Sequence, residues 1–335
     1  MRRFLSLIVS LHFLLATSYA AAGPETALRE FAGGQVKKGV RTIGMGGDGA
    51  TTGNYALVYK DAGGAIFDQG IVRFDTGNTM TFSAVGFTTP RIWDDAAFYI
   101  IALGQTGSNV HVWNQTAPSA AKPPATGNLS DTSVFAKFAK PLGHTLSIGF
   151  MLAYELSQAT LLPDRGGPAI VFRTSYLPSG GFGLHFHPDD HFQLGVRAIL
   201  NHDEETRTQG ATVKSGLLRS YEYRLGAAYA PTKGTLLDAG VVALDRSNAV
   251  EQTNTLAVKP TLGVEQQLVS RRVWARGGLD ETTWTTGMSL ALGAFKIDLA
   301  YLYNLAAART ADVFGKRNTS LIATIGFDYV KAIAR

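Results

Sequence analysis

From about residue 66 to the end of the chain, apolar and polar positions alternate with a period of two. The clearest window is 145–154. Leu146, Ile148, Phe150, Leu152 and Tyr154 share one face there, and Thr145, Ser147, Gly149, Met151 and Ala153 share the other. Phe182, Leu184 and Phe186 alternate with Gly183, His185 and His187, and Phe192, Leu194, Val196 and Ala198 with Gln193, Gly195, Arg197 and Ile199. The same pattern runs through 221–229, 296–303 and 320–329. Successive side chains of a strand point to opposite faces, so this period predicts half-buried strands, roughly 12 to 14 of them.

One face of these strands is apolar, with aromatics towards the strand ends. The other carries glycine, small residues and charges of both signs. A soluble sandwich would pack the apolar face on a second sheet, whereas a barrel in a membrane turns it to lipid and lines its interior with the polar face. Strand candidates of about ten residues match what a tilted, membrane-spanning strand requires. The expected fold is therefore all-β, a transmembrane antiparallel barrel over 66–335. A secreted β-sandwich is the soluble alternative. Residues 187–191 and 230–234 read as tight turns, and Gly107–Asp131, polar and rich in Pro and Ser, reads as a long external loop.

The N-terminus has a different pattern. Arg2 and Arg3 precede a largely apolar run from Phe4 to Ala16, followed by small residues to Ala22. This reads as a cleaved secretory signal peptide over 1–22, because the run is too short for a spanning helix. Residues 23–65 form a Gly-rich, irregular segment, with a short helix possible at Glu25–Gly33.

Composition narrows the classes further. Of 335 residues, 17% are charged and 37 are glycine, which argues against disorder and against a helix-rich cytosolic enzyme. The formal charge is +5, and setting aside Arg2 and Arg3 leaves 29 Lys and Arg against 26 Asp and Glu, scattered along the chain. No nucleic-acid partner is implied. The absence of cysteine excludes disulfides, thiolate metal sites and a lipidated N-terminal cysteine, and suits a Gram-negative envelope protein.

Residues 41–64 read RTIGMGGDGATTGNYALVYKDAGG. Gly44, Gly46 and Gly49 satisfy G-x-G-x-x-G, but the residues that follow are strand-like and offer no helix N-terminus to a pyrophosphate, so dinucleotide binding is not expected. The stretch Arg41–Asp48, followed by Ala56-Leu57-Val58-Tyr59, resembles a motif near the mature N-terminus of the long-chain fatty-acid transporter (FadL-like) superfamily, including PorV-type barrels. Where that family carries Asn-Pro, this chain has Lys60-Asp61. The C-terminal strands at 284–303 and 319–329 are loosely similar too. The resemblance implies an outer-membrane barrel whose N-terminal segment enters the lumen as a plug, with Arg41, Gly44, Gly46, Gly47 and Tyr59 as plug candidates. It also implies passage of hydrophobic molecules through the lumen or laterally out of the wall, while some relatives serve secretion machinery. Outer-membrane barrels usually end on an aromatic residue; here Val330–Arg335 follow Tyr329.

Other chemistry is weakly signalled. His185, His187 and His191 with Asp189 and Asp190 invite a metal reading, yet Pro188-Asp189-Asp190 is equally a turn. No G-x-S-x-G accompanies the serines and histidines, so neither a hydrolase nor any other enzyme is expected. Three N-glycosylation patterns, at Asn114, Asn128 and Asn318, are read as chance in a bacterial envelope protein. More informative are Arg197, Glu222, Arg224, Glu265, Arg276, Lys296 and Asp298, charges on the polar faces of successive strands. They are expected to pair across the interior, holding a plug, shaping a path or simply filling the lumen.

The expected function is passive transport of small hydrophobic molecules across the bacterial outer membrane, without a cofactor, a bound metal or a chemical step. The expected partners are outer-membrane lipid and a small hydrophobic substrate. The alternative is an accessory or structural barrel that docks a secretion or surface-attachment partner. A luminal apolar pocket beside 41–64 would favour transport, and a sealed, charge-filled lumen the accessory role.

Overall fold

A single antiparallel sheet closes on itself. Its strands are β1 (Gly64–Phe74), β2 (Thr79–Thr88), β3 (Ala97–Val112), β4 (Ala125–Leu142), β5 (Leu146–Pro163), β6 (Ile170–Tyr176), β7 (Ser179–Phe186) and β8 (Phe192–Gln209). They continue with β9 (Thr212–Thr232), β10 (Thr235–Asn248), β11 (Thr253–Val269), β12 (Val273–Asp280), β13 (Thr283–Leu292), β14 (Phe295–Asn304) and β15 (Asn318–Asp328). This computed structural model describes Met45, Thr51, residues 53–61 and 63–328, apart from 75–76, 93–94, 113–124, 164–165, 177–178, 250–252, 270–271, 281–282 and 305–317. The signal-like residues 1–22, the possible helix at 25–33 and the tail 329–335 lie outside the described residues.

Neighbours in sequence pair in space, and β1 pairs with β15 from Gly64↔Asp328 to Phe74↔Asn318, so the sheet has no free edge. β6 and β7 share one position in the wall. β5 pairs with β7 through Leu146–Ala153 and with β6 through Leu156–Leu161, and β8 flanks both on the other side. The fifteen strands therefore make fourteen staves.

The face pattern is that of a barrel in lipid. On β5 the burial alternates strictly: Phe150, Leu152, Tyr154 and Leu156 point outward and are exposed, while Gly149, Met151, Ala153 and Glu155 point inward and are buried. Leu152 is 64% exposed and Val85 61%. Soluble monomers rarely expose contiguous apolar patches above a few hundred Å². Such residues on most of the staves suit a hydrocarbon solvent. Aromatics gather at one rim: Phe98 with Phe138 (ring centroids 4.9 Å apart), Phe150 with Phe182 (5.5 Å) and Phe295 with Phe327 (4.9 Å). At the other rim Trp284 lies beside Tyr303 across β13 and β14.

Short turns cluster at the rim of the first girdle: residues 143–145, 187–191, 233–234 and 293–294. In the 187–191 turn, Asp189 accepts backbone hydrogen bonds from His191 and Phe192, both 2.7 Å, and these two donors hold its carboxyl below the ordinary value. The longest connections, 113–124 and 305–317, leave from the opposite rim. Two boundaries differ from the sequence reading. Gly107–Val112 and Ala125–Asp131 belong to strands, with Val110 and Leu129 facing inward, so the long loop shrinks to 113–124. The region 284–303 is not one strand: Gly293, at φ +66°, turns the chain between β13 and β14.

Candidate functional site: the barrel lumen

The inner wall has two kinds of surface. Towards the long-loop rim it is apolar, with Val72, Phe74, Met80, Leu129, Leu161 and Phe172 in one buried cluster. Deeper, it carries charges and the described part of the N-terminal segment.

That segment enters through close backbone approach. A Cβ added at Gly263 on β11 would overlap the carbonyl of Met45. Thr51 Oγ1 donates to Asp238 Oδ1 on β10 at 2.7 Å. The chain then reaches β7 and β8, where the Asn54 amide donates to two wall carbonyls, Leu184 O (2.7 Å) and Val196 O (3.0 Å). Asn54 Oδ1 meanwhile accepts from Ala56 N at 3.0 Å, which bends the backbone into the 3-10 turn Tyr55–Asp61. Glycine makes room for this on the wall. Any side chain at Gly183 would strike Asn54, one at Gly181 the Tyr55 ring, and one at Gly149 the Tyr55–Ala56 peptide.

Charges close around this contact. Arg197 Nη1 donates to Gly53 O at 3.2 Å, and its guanidinium lies 4.8 Å from the centre of the Tyr55 ring. Lys137 stands over the Tyr55 and Tyr99 rings at 5.6 and 5.0 Å. These are distances at which a cation is attracted to an aromatic face. Arg197 and Arg224 sit directly opposite on β8 and β9, and Glu222 bridges them, 3.1 Å from Arg197 and in close contact with Arg224.

A second cluster occupies β11–β14. Arg276 donates to Glu265 at 2.6 Å and to Asp298 at 3.3 Å, while Asp298 also receives Lys296 (3.0 Å) and the Ser289 hydroxyl. Removing one member of such a network leaves buried charge behind. Arg276→Met is expected to destabilise the barrel by about 3–5 kcal/mol. The check is the temperature at which the folded, fast-migrating band disappears on unboiled gels. An unchanged midpoint would show that Glu265 and Asp298 do not depend on Arg276.

Of the charged residues singled out from the sequence, Arg197, Glu222 and Arg224 form one ion-pair cluster, and Glu265, Arg276, Lys296 and Asp298 form a second. Arg41, Gly44, Gly46 and Gly47 lie outside the described residues, as does the side chain of Tyr59. Thr51, Asn54 and the wall glycines 149, 181 and 183 were not singled out. Their only sequence signal is glycine recurring on the inward face of adjacent strands. The His185 and His187 rings lie 5.4 Å apart, but His185 also contacts Gln193 at 3.2 Å, His191 Nδ1 lies 2.7 Å from Ala230 O, and among the described residues no three His, Asp or Glu groups stand close enough to hold a metal ion.

A closed barrel with an apolar exterior, aromatic girdles and a lumen occupied by polar side chains defines a transmembrane β-barrel. Solved barrels similar to it include the Pseudomonas putida toluene transporter TodX, at a TM-score of 0.55 and 12% identity over 85% of this chain and 96% of that one. A Pseudomonas aeruginosa FadL homologue matches at 0.52 and 11% over 93% and 99%. The translocator domain of the autotransporter NalP from Neisseria meningitidis matches at 0.50 and 12% over 92% and 98%. No protein-family model and no curated protein matches the chain. At these identities the likeness is one of fold.

Proposed function

We propose that this chain is an outer-membrane channel through which small hydrophobic molecules pass passively, with the N-terminal segment as a luminal plug and residues 1–22 as the export signal. The observation that carries this reading is the buried apolar cluster of Val72, Phe74, Met80, Leu129, Leu161 and Phe172 on the inner wall. A lumen meant only for water and ions would line that wall with polar groups. An apolar solute entering from the long-loop rim meets a surface that desolvates it, then the plug seated on β7 and β8. The toluene transporter and the FadL homologue support this reading as neighbours in fold.

The two charge clusters favour a second reading, a sealed accessory barrel that docks a secretion or surface partner, and the autotransporter translocator is a fold neighbour on that side. Uptake separates the two. In Gram-negative cells, whose lipopolysaccharide leaflet slows apolar solutes that plain phospholipid bilayers let through, cells carrying the barrel are expected to take up toluene faster than cells without it and to leave the entry of a polar solute of similar size unchanged. Equal toluene entry with and without the barrel would remove the transport reading and leave the accessory one.

A further inference from the structure

We propose that Gln105 and Ser133 form a hydrogen-bonding subsite on the inner wall, which favours hydrophobic molecules carrying one neutral hydroxyl, such as phenols, over plain hydrocarbons. The inference rests on the channel reading and narrows its substrate class.

Strand register places the pair. Gln105 stands on the inward face of β3, opposite Phe82 on β2 and Asp131 on β4. Ser133 is the next inward residue of β4 and faces Leu103 on β3, so the two polar side chains are diagonal neighbours. Diagonal neighbours of a sheet lie about 7–8 Å apart, within reach of a long side chain. β4 also sets the depth. Its inward residues run from Leu129, in the apolar cluster, through Ser133 and Phe135 to Lys137, whose ammonium stands over the Tyr55 ring of the N-terminal segment. A solute moving from the long-loop rim towards that segment passes the pair midway.

The fold itself does not satisfy these two side chains. Gln105 is 2% exposed and Ser133 is fully buried, yet Gln105 Oε1 and the Ser133 hydroxyl have no hydrogen-bond partner among the described residues. The Gln105 amide nitrogen donates to the Met80 sulfur at 3.9 Å, and a thioether is a weak acceptor. With its nitrogen turned to sulfur, the amide has its oxygen left over. A buried polar group without a partner loses its hydration for nothing, and a leucine of similar size would fill the same place among Phe82, Met80 and Leu103 at lower cost. The acidic neighbours in the ladder, Asp131 and Glu155, have interactions of their own. The leftover groups are the neutral ones.

A hydroxyl answers both at once, because it donates its hydrogen to Gln105 Oε1 and accepts one from Ser133. A hydrocarbon does neither. An ionised carboxylate head accepts but does not donate, so it would leave Gln105 Oε1 unmet. The rest of a phenol meets apolar wall at Phe82, Leu103 and Phe135, and Met80, with its unbranched and flexible thioether, is the neighbour best able to give way.

Toluene and p-cresol differ by one hydroxyl and test the pair directly. Binding to the purified barrel is read from the isotope-labelled methyl of Met80, assigned through Met80→Leu. In the native barrel p-cresol is expected to shift this signal saturably. In Gln105→Leu its dissociation constant is expected to rise about tenfold, and in Ser133→Ala about threefold, while toluene binds Gln105→Leu no more weakly than the native barrel. Comparing the barrels in one detergent cancels uptake of the solutes by the micelle. Since Gln105→Leu removes an unpartnered buried amide, its unboiled band is expected to survive heating at least as well as the native one. A band lost at lower temperature would assign the amide to the fold and overturn the proposal. It is also overturned if p-cresol binds the native barrel and both variants alike, which would leave the amide to a bound water, or if Gln105→Leu weakens both solutes equally. Uptake by cells tests transport separately: a barrel that prefers p-cresol at Met80 but speeds the entry of neither solute removes the transport reading alone, and one that speeds toluene entry without this preference removes the subsite alone.

Discussion

Gly149→Leu is expected to open the barrel to polar solutes without dismantling its wall. At this position the wall touches the Tyr55–Ala56 peptide, and a leucine side chain would occupy the space of that backbone. The contact is between two main chains, so neither partner can swing aside as a flexible side chain would. Asn54→Ala weakens the same seat from the other partner by removing two hydrogen bonds to wall carbonyls and the acceptor for Ala56 N. At about 1 kcal/mol or somewhat more per lost bond, the balance between seated and displaced segment shifts roughly 10–100-fold. Single-channel recording in planar bilayers checks both. The native barrel is expected to be nearly closed to ions, Gly149→Leu persistently open, and Asn54→Ala to flicker. Identical traces for all three would mean that the segment does not obstruct the lumen.

Leu152→Arg tests the opposite face. Leu152 stands on the outer side of β5, between Phe150 and Tyr154 and towards the middle of the apolar band. An arginine facing hydrocarbon near mid-depth costs about 2–4 kcal/mol, falling towards zero near the interfaces. The variant is therefore expected to unfold at lower denaturant than the native barrel, whereas an arginine at the rim position Phe186 is expected to change little. Equal stability of Leu152→Arg and the native protein in lipid vesicles would mean that this face does not meet lipid.

The strand faces were legible because period two carries that information without any knowledge of partners. Every outward residue named for 146–154 and 192–198 is outward in the fold. The long loop at 107–131 was overestimated because Pro, Ser and Asn dominate its composition, while Val110 and Leu129 keep the inward alternation at its two ends. That the charged residues share the polar faces of their strands was legible from the period alone. Their grouping into two networks was not, because Glu222 meets Arg197 only through the β8–β9 register, and Asp298 meets Arg276 only across β13. Asn54 was hidden for a related reason: its role exists only where Gly183 removes a side chain from a strand more than a hundred residues away.

The pairing of β1 with β15 along their whole lengths also sets the order of events at birth. The two strands lie at opposite ends of the barrel sequence, so the last seam cannot form until the final strand has been delivered. Until then both carry unpaired N–H and C=O groups flanked by exposed Phe67, Leu321 and Ile325, a template for sticking to any other chain. Loop closure over such a separation is slow. The edge that stays raw longest is thus the one made by the first and last strands to leave the ribosome.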